Sequence, residues 1–315
     1  MTRAKPFYHI YRTKLIGFAL AGFSALVWGS TFVSTKTLLS SFSPFEILFI
    51  RYALGYACLW VLFPRPLKPR RKKHELLFAG AGLAGITLYQ FMENTALFYT
   101  QASNVSIIVS TAPLWTAALV SAFAGRSGGK KDVAAPRIGG AFIAGFVTAI
   151  CGVVLIAFNG AFILKLSPRG DILALCSGIS WGFYSLLIKK INALGYPTLA
   201  STRRMFFYAL LFMIPLGFFT HVSLDAARNA ARLSNPVMAL NLLFLGVAAS
   251  ALCFASWNKA SKMLGVIETS VFIYVIPAVT VAAAVVFIRE RVTMFSIAGM
   301  ILTMAGLYIS LKGGI

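Results

Sequence analysis

The sequence predicts an all-α integral membrane protein with ten transmembrane helices, arranged as two inverted five-helix repeats. Three observations predict it. Hydrophobic residues make up 59% of the 315-residue chain and charged residues only 12%, with a mean hydropathy of +0.82; soluble domains carry roughly 25% charge. Apolar stretches of about 20 residues, each able to cross a hydrocarbon core of roughly 30 Å, recur along the whole length. Several residue spacings in the first half return in the same order in the second.

The spans lie at 15–35, 45–63, 76–99, 102–124, 138–158, 170–188, 201–220, 238–258, 266–288 and 294–311. Each must be helical, because lipid offers no partner to an open backbone group. Proline, glycine and charge place the breaks, at Ser43-Pro44, Phe63-Pro64, the Gly125–Lys131 run, Ser167-Pro168, Tyr196-Pro197 and Asn235-Pro236. The first apolar run follows Arg12 and Lys14, as a signal peptide would, yet it extends from Leu15 to Val33 without a small-residue cleavage site. Leu15 therefore opens a retained helix after a cytoplasmic tail of residues 1–14. The first repeat is residues 15–158; the second is 159–315, with a short cytoplasmic C-terminus.

Orientation follows from where the cations fall. With the termini and the even-numbered loops in the cytoplasm, 21 of the 29 Lys and Arg residues lie there, 7 lie opposite, and Arg51 sits inside span 2. The densest run, Arg65 to Lys73, suits a loop against an anionic leaflet. This bias directs both termini to the cytoplasm, as expected in a bacterial inner (plasma) membrane. It also accounts for the net charge of +21 without a nucleic-acid partner. Cys58, Cys151, Cys176 and Cys253 fall in apolar segments with no C-x-x-C spacing and read as small buried hydrophobes. His9, His74 and His221 lie in terminal or loop stretches, which excludes an intramembrane histidine relay. No metal or cofactor is expected.

The internal repeat is carried by several matches. Trp28-Gly29 in span 1 returns as Trp181-Gly182 in span 6. Pro44 precedes Arg51 by seven residues, and Pro197 precedes Arg204 by the same seven. Laying Pro113 over Pro277 superposes Asn94 on Asn258 and Ala96 on Ala260 without a gap, and Gly145 and Gly152 share the spacing of Gly299 and Gly306. Five spans per copy is an odd number, so the second copy sits upside down relative to the first. Such inverted repeats suit alternating access, because exchanging the conformations of the halves turns an inward-open form into an outward-open one.

These same residues resemble the drug/metabolite transporter superfamily, specifically its EamA-like ten-helix branch. The Trp-Gly motifs carry the resemblance, together with the Pro-to-Arg spacing, the segment Glu93-Asn94-Thr95-Ala96-Leu97 leading through Ala102-Ser103-Asn104-Val105 to Pro113, and Pro277 with the closing Arg289-Glu290. It spans residues 15–311. The resemblance implies two five-helix repeats around a central cavity lined by helices 1, 3, 4, 6, 8 and 9, with helices 5 and 10 outside. It also implies a small metabolite, often an amino acid, as exported cargo. In one departure, Arg126 stands near the end of span 4 where the family often has glutamate.

A carboxylate inside a lipid-embedded helix costs at least about 2–3 kcal/mol and normally faces protein or water. Glu93, roughly 9 Å deep in span 3, is therefore either a substrate or proton site or the ion-pair partner of Arg51. Glu268, near Lys259 and Lys262, reads as a local ion pair or helix-end charge. Arg51 and Arg204 read as snorkelling or paired cations, Glu290 as the charge closing span 9, and Glu46 as a helix-end anion. Trp28 and Trp181 lie away from the interfacial belts, so they either line a cavity or pack beside Gly29 and Gly182. Tyr89, Gln90, Tyr99, Trp115, Tyr184, Trp257 and Tyr274 are further cavity candidates. Asn94 and Asn258 either bind substrate or stitch helices, and Pro113 and Pro277 kink spans 4 and 9.

The expected function is a secondary transporter, an exporter of an amino-acid-like metabolite or small organic cation. The competing readings are a broad exporter of hydrophobic drugs and, from another class, a membrane-embedded enzyme acting on lipid head groups. Neither H-E-x-x-H nor a D-x-x-D pair supports the enzyme, and no G-x-x-x-x-G-K-[ST] supports an ATP-driven pump. A channel would need a pore filter rather than inverted halves. The expected partners are a small-molecule substrate and membrane lipids, with a homodimer suited to the small residues of helices 5 and 10.

Overall fold

The computed structural model describes residues 5–99, 102–124, 139–158, 168–220, 231–288 and 294–313. The described residues hold helices and no strands. Helix α1 (Lys5–Leu38) begins well before Leu15, so much of the predicted tail is helical. Pro6 lacks only an N–H that a first helical turn leaves unpartnered, so it starts the helix rather than breaking it. Helix α2 (Pro44–Leu62) opens on a capping box, in which Glu46 N donates to Ser43 Oγ (3.2 Å) and Ser43 N donates to Glu46 Oε2 (2.7 Å).

Helices α3 (Lys72–Tyr99) and α8 (Pro236–Leu264) each contain a π-helical stretch, Leu83–Leu88 and Phe244–Leu252. Two other helices are broken near the middle. Helix α4 runs as Ala102–Val109 and Ala112–Ala124, and α9 as Val266–Ser270, a 3-10 turn at Val271–Val275, and Ile276–Ile288. Both breaks come just before the proline, Pro113 or Pro277, whose missing N–H and ring disfavour continuous α geometry. Gly265, with φ +99°, makes the one-residue turn between α8 and α9. The remaining helices are α5 (Gly140–Phe158), α6 (Pro168–Ala193), α7 (Thr198–Phe219) and α10 (Met294–Gly313).

Among the described residues six helices, α1, α2, α3, α6, α7 and α8, are long and apolar enough to cross a membrane; shorter apolar helices cover Ala112–Phe123, Gly140–Gly152, Val266–Thr280 and Ile297–Ser310. Val61, Phe218, Phe219, Met294 and Ile301 present bare apolar side chains outward, which water would penalise and lipid accepts. Cys151 and Cys176 also lie on this outer surface and only Cys253 is buried. The expectation of four buried thiols is thus corrected: an apolar span in lipid need not turn its small residues inward.

The two-repeat architecture is visible in the packing. Helix α1 packs on α8 and α9, and α6 packs on α3 and α4; α2 meets α8 as α7 meets α3; α5 lies along α10. Replacing each helix of these pairs by its counterpart five places along the chain returns the same pairs. Individual residues obey the same exchange. A Cβ added at Gly29 would collide with Val279, and one at Gly182 would press on Trp115 at 3.0 Å; Val279 lies 164 positions after Trp115, the offset that separates Pro113 from Pro277. Gly82 and Gly246, related by that offset, let α3 approach α7 and α8 approach α2: added Cβ atoms would lie 2.5 Å from the Met205 carbonyl oxygen and 2.6 Å from Leu54 Cβ. Two of the glycines expected to suit a dimer, Gly145 and Gly306, face each other instead, whereas Gly140 faces open space. Gly145 and Gly306 bring α5 and α10 into backbone contact within a single chain.

Candidate functional site

A small central cavity of about 30 Å³ lies between the halves. From the first half come Trp28, Thr31 and Phe32 on α1, Arg51 on α2, Tyr89, Gln90 and Glu93 on α3, and Val109 and Ala112 on α4; from the second come Trp181 on α6, Phe254 on α8, and Ile273 and Ile276 on α9. The π stretch of α3 ends at Leu88, and the helix after it carries Tyr89, Gln90 and Glu93 to the cavity on one face. The widened turns also release carbonyls to side chains from other helices. Trp28 Nε1 donates to the Ala249 carbonyl (2.8 Å), and Ser180 Oγ donates to the Ala84 carbonyl (2.8 Å).

The cavity floor is aromatic. The Trp28 and Trp181 rings meet edge to face, with centroids 5.5 Å apart; Trp257 lies 5.0 Å from Trp28, and Tyr89 lies 4.9 Å from Trp181. Such pairs are worth about 0.5–1.5 kcal/mol beyond their buried area. Trp181 Nε1 has no hydrogen-bond partner, although it is buried.

The polar wall is a chain of side chains. Tyr52 Oη donates to Gln90 Oε1 (3.3 Å), and Gln90 Nε2 donates to Glu93 Oε1 (2.8 Å). Glu93 is 6% exposed; its Oε2 has no partner at full hydrogen-bond geometry, and the Tyr89 hydroxyl is the donor beside the carboxylate. Arg51 is 2% exposed and its Nε donates to Ser250 Oγ (2.6 Å). Among the described residues no ion pair includes Arg51 or Glu93; the two present are Arg204 with Glu75 (2.5 Å) and Arg232 with Glu46 (2.9 Å). The expectation of a direct Arg51–Glu93 pair is corrected: Arg51 Nε bonds Ser250 and Glu93 Oε1 bonds Gln90, while the Arg51 charge still acts on Glu93 from within the same wall.

Other expected site residues lie elsewhere. Tyr99 is 47% exposed and packs on Phe98, outside the cavity. Trp115 packs against Gly182 and donates to Thr111 Oγ1 (3.1 Å). Tyr184 lies behind Trp181 and donates to Asn258 Oδ1 (2.7 Å), while Asn258 Nδ2 donates to Thr202 Oγ1 (3.0 Å). Tyr274 turns toward Phe146 of α5, and Trp257 backs Trp28 rather than lining the space. Asn94 Nδ2 donates to the Pro44 carbonyl (3.3 Å), tying α3 to the start of α2. Lys262 donates to the Tyr196 carbonyl (3.1 Å), and among the described residues Glu268 forms no ion pair; the charge that acts on it is that of Lys14. Glu290 lies outside the described residues.

Arg51, Thr31, Phe32, Phe254, Val109, Ala112, Ile273 and Ile276 were not expected in the wall. The repeat itself carried the signal for three of them. Phe254 lies 164 positions after Gln90, Ile273 after Val109, and Ile276 after Ala112, so a cavity residue on one side marks its counterpart on the other.

The EamA-like transporter family model matches residues 15–158 and again residues 168–312. The chain belongs to the EamA-like transporter family. It is therefore an integral membrane transporter, not an enzyme. A protein of Archaeoglobus fulgidus named as a transporter is 28% identical over 295 residues, covering 92% of this chain and 96% of its own. A probable amino-acid metabolite efflux pump of Salmonella typhimurium is 28% identical over 307 residues, covering 93% and 95%. A probable terminal-alkyne amino-acid exporter of Streptantibioticus cattleyicolor is 24% identical over 285 residues, covering 90% and 89%. A crystal structure 18% identical in sequence superposes with a TM-score of 0.73 over 96% of this EamA-like chain and 98% of its own, which shows the fold alone.

Proposed function

We propose that this EamA-like protein exports a small amino-acid-like metabolite or organic cation by alternating access through the central cavity. In this reading the chain crosses the membrane ten times as two oppositely oriented repeats, residues 15–158 and 159–315, with both termini in the cytoplasm of a bacterial inner membrane. The cation distribution along the sequence supports that orientation. The observation that carries the reading is the buried Glu93 carboxylate, bonded by Gln90 with Tyr89 beside it, in the same cavity wall as Trp28 and Trp181. A carboxylate buried at this depth is costly, and an ammonium group in the cavity would offset that cost. The printed names of the Salmonella and Streptantibioticus relatives, both amino-acid-related exporters, point the same way.

Proteoliposomes containing the purified protein test this by counterflow against a metabolite panel, with and without a pH gradient. Glu93→Gln should sharply lower flux of an amino-acid or amine substrate; unchanged flux and pH dependence would rule out its role. Broad acceptance of unrelated hydrophobic compounds, indifferent to that substitution, would mark a drug exporter instead.

A further inference from the structure

We infer that a groove at the adjoining ends of α2 and α7 holds one anionic phospholipid. Its head group lies against Arg203 and the basic strap that joins α2 to α3, and its acyl chains run along Trp60 and Phe207. The site is separate from the central cavity. It rests on the orientation proposed above, which turns this end of the bundle toward an anionic cytoplasmic leaflet.

The groove holds about 330 Å³, against about 30 Å³ for the central cavity. One wall is aromatic. The rings of Tyr56 and Phe207 pack with centroids 6.4 Å apart, and Trp60 joins them in the lining. Trp60 is 54% exposed and Phe207 42%, and half-bare tryptophan collects where acyl chains give way to head groups. The other wall is the strap, residues 63–71, an irregular run containing Pro64, Pro66 and Pro69. It is pinned at both ends. Arg203 Nη1 donates to the Phe63 carbonyl and Nη2 to the Arg65 carbonyl (2.7 Å), while Arg70 N donates to Tyr196 Oη (2.7 Å).

Charge selects the occupant. Arg203 lines the groove and is 7% exposed, yet its hydrogen-bond partners are neutral carbonyls, and neither ion pair among the described residues includes it. A buried guanidinium without a counter-charge is strongly disfavoured, and a phosphate brought to the groove supplies that charge. Arg204 beside it is already neutralised by Glu75. Arg65, Lys68, Arg70, Arg71, Lys72 and Lys73 are all exposed along the strap and the first turn of α3, a basic cluster of the kind that attracts anionic lipid. A soluble anion would meet the same charge but leave the aromatic wall bare; a phospholipid covers both. The second repeat lacks this arrangement. At the offset that separates Pro44 from Pro197, Trp60 matches Met213, which is fully buried, and Arg203 matches Ile50. The shared scaffold therefore requires neither side chain.

Native mass spectrometry of the intact protein in detergent tests this, with phosphatidylglycerol and phosphatidylcholine of identical acyl chains offered in equal amounts. One phosphatidylglycerol per chain should be retained, in preference to phosphatidylcholine by roughly tenfold. Arg65→Gln combined with Lys68→Gln should cut that preference to about threefold or less. Trp60→Ala should weaken retention of both lipids, because it strips the aromatic wall and leaves the charge. Lys190→Gln combined with Lys259→Gln removes the same charge from exposed positions outside the groove and should keep the preference. Equal retention of the two lipids by wild type overturns the site. So does unaltered retention in Trp60→Ala, or an equal loss of preference in the Lys190 and Lys259 control. Displacement of the lipid by soluble glycerol 3-phosphate would mark a soluble-anion site and overturns the lipid assignment. Orientation is read separately, by labelling Lys68→Cys with an impermeant maleimide in intact cells; labelling from outside overturns the cytoplasmic leaflet as the source. None of these readouts requires transport, so small-metabolite export stands or falls on its own test.

Discussion

In the first repeat, Tyr89, Gln90 and Glu93 follow the π stretch of α3 and place a phenol, an amide and a carboxylate in or beside the cavity. At the matching positions of the second repeat, Cys253, Phe254 and Trp257 follow the π stretch of α8. The backbone plan is shared down to the π geometry, the close-approach glycines and the prolines, while the chemistry is not. Residues that let helices touch are constrained twice, once in each copy, because both copies must pack into the same bundle. Residues that touch a ligand are free to diverge, since one ligand meets both walls at once. Asymmetry within a symmetric frame therefore marks the candidate binding groups.

That comparison can be broken first at the scaffold. Gly82→Ala and Gly246→Ala should each destabilise the protein by about 1–3 kcal/mol, because the new methyl overlaps the backbone or Cβ of the facing helix. Thermal unfolding in detergent measures both, and a large cost at only one of them would mean that the repeats are not packed alike. Gly140→Ala, whose Cβ would meet nothing within 4 Å, is the control. At the cavity the counterparts should differ instead. Glu93→Gln should reduce flux by roughly tenfold or more, equivalent to about 1.4 kcal/mol, whereas Trp257→Phe should leave flux within about threefold; equal losses in counterflow would remove the asymmetry.

Smaller effects sharpen the picture. Trp28→Phe should cost about 0.5–1.5 kcal/mol of stability through loss of the bond to the Ala249 carbonyl. Trp181→Phe removes an N–H that bonds nothing in the protein, so it should cost less stability while altering ligand affinity, as denaturation and fluorescence titration would reveal. The smallest effect is expected at Arg204→Gln. Its pair with Glu75 is about a quarter to a third exposed (31% and 26%) and worth about 0.2–1 kcal/mol at most, with flux unchanged. A loss of flux in Arg204→Gln would mean that this surface pair does more than pack α7 on α3.

Much of the frame was legible from residue order. Hydropathy located the helices, and the spacing of Trp28-Gly29, Pro44, Arg51, Asn94 and Pro113 against their counterparts revealed the duplication before any coordinates. Depth was also readable: at 1.5 Å per residue, Glu93 and the paired tryptophans had to lie well inside the bundle. Facing was harder to read. Tyr99, Trp115, Tyr184, Trp257 and Tyr274 were candidates of the same kind as Tyr89, yet they pack behind the wall or outside it. A span that is apolar all round carries little record of which side meets lipid and which meets a cavity.

Composition and periodicity alone thus determined that the chain lives in lipid, that it is helical, and that it is built twice. The fold decided which of two equivalent arginines is neutralised and which carboxylate reaches the cavity wall. The physical reason is that depth and repetition are properties of position along one helix. Pairing depends on the rotation of each helix and on the neighbours it meets across the bundle, among them Glu75 beside Arg204 and Ser250 beside Arg51.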